Sequence, residues 1–384
     1  MNYLTEPAPL RRTEGRGALS QQLWWIMKTI WVRGEVNPNE RRAPLTPEDA
    51  SRLIDRGYEV HVETAPKRVF SDSEYQRHGC IIEPRDTWRQ QRKDTVTLGI
   101  KLPELTGEPL YGEHVFYAHQ YTKTRILHEK PTALKMLEGF TRGGGIHYDT
   151  EFLTDETGAK VPAFSTIAGK VGTVLAAILW SEIEGPRQAP PARLFTAPTQ
   201  LDELLGRAHS GLNDCRRPSI ALLGTRGQCG VGAVMVLNEL GLDYTSLSRQ
   251  SLLDPDVDHT LSGYDIIVNC MAVDETTPKF LSAENIGSDS KLRIVSDIGC
   301  ETNNNNPILL RGPLSSIDEP IYEVPTNGRP VYVIAIDHLP AITPLESSQA
   351  FSSQMTPLLF SLLDGAKTLP WINAQEVFLR ALTL

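Results

Sequence analysis

Residues 219–223, SIALL, form an apolar run of strand length that leads straight into GTRGQCGVG at 224–232. A helix-patterned stretch, 233–240, follows and is stopped by Gly241. This order of strand, glycine loop and helix constrains the fold more than any other segment. Gly224, Gly227, Gly230 and Gly232 permit a tight turn and a close approach of backbone to a ligand. A helix that starts at such a turn points its free N–H groups at an anion. The glycine spacing is looser than the strict GxGxxG fingerprint. The loop, with Gln228 and Cys229 between its glycines, reads as a pyrophosphate cradle or as a purely structural turn.

Strand and helix patterns alternate on either side of this loop. Strands are expected at 29–32, 58–63, 81–82, 95–101 and 114–118, then at 245–248, 266–269, 293–297 and 331–336. A helix is expected after Thr46, a capping residue followed by Pro47 and two acids, and Gly57 stops it. Such alternation implies an α/β protein with parallel sheets flanked by helices. At 384 residues the chain exceeds one ordinary core. We expect two Rossmann-like domains with a cleft between them. The substrate-side domain comprises 27–165 plus 341–384, and the dinucleotide-binding domain 166–340. The C-terminal helices return to the first domain. A Pro-rich stretch, 186–198, is expected as a surface excursion, and 1–26 as a poorly ordered extension without a secretory cleavage pattern. Met27 reads as an ordinary start.

A net charge of −9 argues against a nucleic-acid surface, which needs clustered cations. No run of eighteen apolar residues exists, so no membrane span is expected. Five cysteines, an odd number without zinc-like spacing, suit a reducing cytosol and imply no metal site. The expectation is a cytoplasmic monomer or small homo-oligomer.

Two side chains fall at carboxyl ends of expected strands, where open parallel sheets hold their ligands: Lys101 after VTLGI, and His119 after VFYA. Together they are a candidate proton-transfer pair, against the plain alternative of a surface lysine and a packed histidine. Arg42 is a candidate for bidentate carboxylate binding, or one more exposed cation. At the end of the strand after the glycine loop stand Ser248 and Arg249, where an acid usually selects NAD. A hydroxyl and a guanidinium suit the extra phosphate of NADP, so either NAD or NADP is expected.

The segments ERRAPLTP (40–47), GIK (99–101), YAH (117–119), HYDTEFL (147–153), VPAF (161–164) and IDHLP (336–340), with the glycine loop and Asn269–Cys270, resemble one family in order. The chain resembles the lysine-forming saccharopine dehydrogenases, within the alanine dehydrogenase superfamily. That resemblance implies oxidation of the CH–NH bond of saccharopine by NAD, giving lysine and 2-oxoglutarate. It implies Lys101 and His119 as proton carriers, and Glu151 beside Lys101. Arg42, Lys160, Lys123 and Phe164 would stand around the substrate, and Asp337 and His338 near the domain junction. Cys229 and Cys270 would be a pair near the cofactor that is able to form a disulfide.

The sequence also departs from the family pattern. Leu102 stands where an acid is expected, Thr122 where a substrate-binding lysine is expected with Lys123 one place off, and Lys160 where an arginine is expected. Arg249 takes the place of the ribose-binding acid. These changes keep open an NADPH-driven reductive amination of a different keto acid, or a non-catalytic dinucleotide-binding relative.

Overall fold

The structure is a computed structural model that describes residues 28–37, 39–91, 93–127, 130–191, 193–271, 277–300, 308–310, 312 and 314–384. The expected extension, 1–26, lies outside the described residues. The first half contains β1 (Thr29–Val32), α1 (Pro47–Ile54), β2 (Glu59–Glu63), α2 (Asp72–Arg77), β3 (Ile81–Glu83), β4 (Thr95–Lys101), β5 (Glu113–Tyr117), α3 (Thr132–Gly143) and β6 (Ile146–Asp149). Its strands form one parallel sheet in the order β3-β2-β1-β4-β5-β6. Along β4 every residue but Lys101 is buried, as a strand covered on both faces requires. Helix α1 starts where its chemistry dictates. Thr46 accepts from the Asp49 amide at 3.2 Å, and Pro47 needs no hydrogen-bond partner in the first turn.

The second half contains α4 (Ser165–Glu184), α5 (Leu201–Leu212), β7 (Ile220–Leu223), α6 (Gln228–Glu239), β8 (Tyr244–Leu247), α7 (Val257–Ser262), β9 (Ile266–Asn269), β10 (Ile294–Asp297), β11 (Tyr322–Val324) and β12 (Val331–Ile334). Its sheet runs β11-β12-β10-β9-β7-β8, parallel except for the antiparallel edge strand β11. Helices α8 (Pro344–Leu363) and α9 (Leu369–Ala381) then return to the first sheet. There Phe351, Met355, Leu359, Leu362 and Trp371 share one core with Ile30, Val32, Leu98 and Val115.

In each sheet the strand order reverses beside the first strand, between β1 and β4 and between β7 and β9. Loops leaving such neighbours diverge and open a crevice at the carboxyl edge. The first crevice receives Arg42 and Lys101, and the second receives the glycine loop and Cys270.

Strand ends fall within one or two residues of expectation, and the larger difference lies at the glycine loop. The helix after the glycine loop starts at Gln228, not at 233. Gly230 and Gly232 therefore lie inside α6, where they permit close packing. A Cβ on Gly232 would stand 2.0 Å from the Thr166 carbonyl oxygen, and one on Gly169 would stand 1.9 Å from that of Cys229. Helices α4 and α6 thus meet backbone to backbone. By length and composition α4 is apolar enough to cross a membrane, yet 72% of its apolar window is buried inside the protein. The Pro-rich stretch is largely exposed, but Leu194 and Phe195 within it are buried in the second core.

Beneath the first sheet two histidines are packed among aromatic rings. His147 donates from Nε2 to the Phe116 carbonyl at 3.2 Å, and its Nδ1 accepts from the Tyr121 hydroxyl at 2.7 Å. Among the described residues the His114 ring bonds only the Tyr111 carbonyl, at 2.9 Å, and it sits edge-on to Trp88 and Phe140. Burial lowers both, His114 to about 4 and His147 to about 3. Both stay neutral in the fold while the unfolded chain takes up protons below the ordinary 6.5. Their stabilising contribution is therefore complete above pH 6.5 and is lost as the pH falls toward 4. Urea midpoints should drop between pH 6.5 and pH 4, with a slope of at most about 1.4 kcal/mol per pH unit for each histidine. A His114→Phe variant should show a shallower slope, and an unchanged slope would refute the assignment.

Candidate functional site

The loop after β1 presents Arg42 as a fixed group. Its Nε and Nη2 donate to the two Glu40 oxygens at 2.8 and 2.6 Å, and both side chains are almost fully buried. The guanidinium lies 4.3 Å from the Phe164 ring centre, a cation–π contact that the resemblance had no means of specifying. Nη1 makes no hydrogen bond to any described residue. The loop itself is fastened from α8. The Ala43 and Thr46 amides each donate at 2.9 Å, to the Ser348 and Ser352 hydroxyls one helical turn apart. Beside the Arg42–Glu40 pair lies a cavity of about 150 Å³ lined in part by Asn37, Lys67, Arg68 and Arg85. A larger cavity of about 380 Å³, between α3 and the C-terminal residues, contains none of the candidate site residues.

Lys101 ends β4 after a register shift that begins beyond Leu98. The strand end is clamped from below. Glu35 accepts from the Ile100 and Lys101 amides at 2.6 and 3.1 Å, and Arg33 donates to the Lys101 carbonyl. A Cβ on Gly99 would fall 2.3 Å from the Arg33 guanidinium, which accounts for glycine in the GIK segment. The Lys101 ammonium has no hydrogen bond or ion pair among the described residues. Burial and then the Arg42 charge lower its proton affinity, while Glu40, Asp337 and Glu35 oppose them.

His119 stands two residues past β5 with φ at +52°, its ring stacked 5.8 Å from that of Tyr117. It is open to solvent on one side, yet partial enclosure is the main cause that lowers its affinity for a proton. Glu151 opposes that shift, and the charges of Lys101, Lys130 and Lys160 reinforce it. His338 is lowered first by burial, and it faces Asp337, Arg42 and Lys101. Loops from both sheets thus share one electrostatic neighbourhood.

The structure distributes the remaining sequence candidates unevenly. Glu151 pairs with Lys160 and bears on His119, while the acids bearing on Lys101 are Glu40, Asp337 and Glu35. Lys123 is exposed in a turn organised by Thr122. The nearby lysine that reaches His119 is Lys130, which donates to its carbonyl oxygen. Neither Lys130 nor Glu40 was singled out from the sequence. The acid–base spacing of Glu40 and Arg42 in a polar loop was the available signal. Asp149, buried at the end of β6, was likewise missed.

The glycine loop suits a dinucleotide. Gly224 has φ at +82°, and a Cβ there would meet Cys270 backbone atoms at 3.0 Å. A Cβ on Gly230 would meet the Gly224 carbonyl oxygen at 2.2 Å, whereas Gly227 is exposed and a Cβ there would make only an ordinary contact with the same oxygen at 3.7 Å. The start of α6 is therefore bare backbone, which is the requirement for an approaching pyrophosphate. Gln228 donates to the Lys160 carbonyl at 3.1 Å, joining this loop to the substrate side. Cys229 and Cys270 are free thiols, and Cys270 is raised chiefly by its hydrogen bond to Cys229. Ser248 caps the turn after β8, and Arg249 donates from Nη2 to the Thr277 hydroxyl at 2.9 Å.

Two Rossmann-type sheets facing one charged cleft, with a glycine cradle on one side, are the architecture of a dehydrogenase. Residues 31–171 match the family described as alanine dehydrogenase/PNT, N-terminal domain. Over 367 residues the chain is 34% identical to a Schizosaccharomyces pombe saccharopine dehydrogenase (NAD(+), L-lysine-forming), spanning 91% of this chain and 97% of that protein. The enzyme of the same name from Emericella nidulans is 34% identical over 377 residues, or 91% and 96% of the two chains. Among solved structures, an L-alanine dehydrogenase shares the fold with a TM-score of 0.61 at 16% identity, covering 92% of this chain and 94% of that one. A transhydrogenase from Sinorhizobium meliloti does so at 0.58 and 15%, covering 88% and 96%. The chain belongs to the lysine-forming saccharopine dehydrogenase family.

A Gly230→Ala substitution should weaken dinucleotide binding at least tenfold by fluorescence titration. The added methyl group must push the loop away from the start of α6. Unchanged affinity would remove the loop from the binding site.

Proposed function

We propose that this protein oxidises saccharopine with NAD and water, giving lysine and 2-oxoglutarate. One observation carries this reading beyond family membership. Lys101 and His119, both with lowered proton affinity and both lacking a side-chain hydrogen-bond partner among the described residues, share one electrostatic neighbourhood with Arg42. The bare entrance of α6 at Gly224, Gly227 and Gly230, with Gln228, would hold the cofactor's pyrophosphate. When bound, NAD supplies the acceptor for hydride from the carbon beside the substrate's secondary amine.

The chain's own residues have three tasks. Arg42, already oriented by Glu40, offers its unbonded Nη1 edge to a substrate carboxylate. Lys101 and His119 carry protons between the substrate nitrogen, the water that adds to the imine carbon, and solvent. An ordinary lysine would be protonated and useless as a base at neutral pH. Burial and Arg42 shift Lys101 toward the neutral form that the reaction requires. Lys160, held by Glu151, lies where a further carboxylate of an amino-acid or keto-acid substrate would meet positive charge.

Lys101→Met and His119→Gln should each lower kcat by roughly 10²–10⁴-fold, with the NADH dissociation constant nearly unchanged. The acid limb of the wild-type pH profile should lie below the ordinary imidazole value of 6.5. Full turnover in both variants would end the proton-carrier reading.

A specific observation favours a second reading of the cofactor. Arg249 at the end of β8, with the Thr225 and Ser246 hydroxyls 2.9 Å from each other nearby, offers donors and positive charge where NAD selection usually employs an acid. By this reading NADPH binds and drives reductive amination of a keto acid. Arg249→Ala should then weaken NADPH far more than NADH in separate binding titrations. Equal weakening would show that Arg249 does not read the ribose 2′ position.

A further inference from the structure

His119 carries its ring on a left-handed backbone, φ +52°, which residues with a Cβ adopt only when their surroundings enforce it. The buried side chain bonded to this turn is Asp149. This carboxylate ends β6 on the strand beside β5 and is fully buried. Its Oδ2 accepts from the amides of Ala118 and His119, each at 3.3 Å. Its Oδ1 accepts from the Glu151 amide at 3.0 Å. On the far side of the turn, Lys130 donates to the His119 carbonyl. One side chain thus fixes the backbone of two groups that face each other electrostatically, the imidazole and the carboxylate that opposes its loss of a proton.

We propose that Asp149 is a positioning residue for the proton relay, holding His119 and Glu151 in fixed relation through three backbone amides. The proposal rests on the reading of His119 as a proton carrier. Asp149 has no exposed surface and acts through the backbone that it bonds. A buried carboxylate beside Glu151 and the phenols of Tyr117 and Tyr121 is an expensive arrangement. Among the described residues no cation pairs with it, and burial pushes its carboxyl up to about 7. A left-handed turn alone would be made more cheaply by glycine, whereas this turn carries an imidazole and is tied to a buried acid. The acid sets the direction of a side chain that must itself be histidine.

The test is a double-mutant cycle. Asp149→Asn keeps the shape but leaves one acceptor oxygen, so an N–H group must oppose an amide on one side. In the otherwise unchanged protein it should lower kcat about 10–100-fold, with the NADH dissociation constant within about twofold. On the His119→Gln background the same change should lower kcat by less than about twofold, because the group that it positions is already gone. An equal fold-loss on both backgrounds, or no loss on the first, overturns the proposal. Full turnover of His119→Gln alone overturns the relay reading instead, so the two failures are distinguishable. Should Asp149→Asn fail to fold, the unsubstituted protein with ¹⁵N-labelled histidine gives the answer. The His119 amide, assigned by its absence in His119→Gln, should exchange with solvent far more slowly than an unbonded loop amide, because it donates to a buried carboxylate. Exchange at the rate of an unbonded loop amide overturns the proposal.

Discussion

The buried pair of Arg42 and Glu40 sets the terms for the rest of the cleft. Two charges taken out of water are tolerated only when their geometry is close to ideal, and here two short bonds join one guanidinium to one carboxylate. The pair makes the loop after β1 rigid, places a cation over Phe164, and puts positive charge beside Lys101 and His338. A lysine near a fixed cation gives up its proton more readily. The same ion pair therefore prepares an anion contact and a base, and neither depends on a moving part.

The sheets were legible because their strands alternate with helices and carry β-branched runs. Thr29–Val32 and Thr95–Lys101 are observed at the expected residues. The start of α6 was not legible, because glycines in a loop and glycines at a helix crossing look alike in one dimension. Gly230 and Gly232 are explained only by the carbonyl oxygens of Gly224 and Thr166 pressed against them. The same limit applies to the site. Lys101, His119 and Arg42 stand at strand ends and loops that topology brings together. Lys130 reaches His119 through a turn whose path no spacing rule predicts, and Asp149 acts through amides that any residue would supply.

The departures from the family pattern acquire physical content in the structure. Leu102 packs against the aromatic cluster around Trp31 and Phe116, so the position after Lys101 faces apolar surroundings. Negative charge near Lys101 comes instead from Glu40, Asp337 and Glu35. Thr122 shapes the turn that carries Lys123 into solvent, and positive charge near His119 comes from Lys130 and Lys160. In this chain the charges around Lys101 and His119 thus come from residues other than those at the departed positions.

The two serines of α8 that hold the Arg42 loop have a consequence for biosynthesis. β1 leaves the ribosome long before Ser348 and Ser352, and its core partners Phe351, Met355 and Leu359 are made equally late. The first sheet thus stays uncovered on one face while the whole second sheet is translated. Strands as apolar as β1 and β4 are aggregation-prone in that interval. A nascent chain of this design needs either a chaperone's cover or a second sheet that folds quickly, and the cleft is assembled only when the final helices arrive.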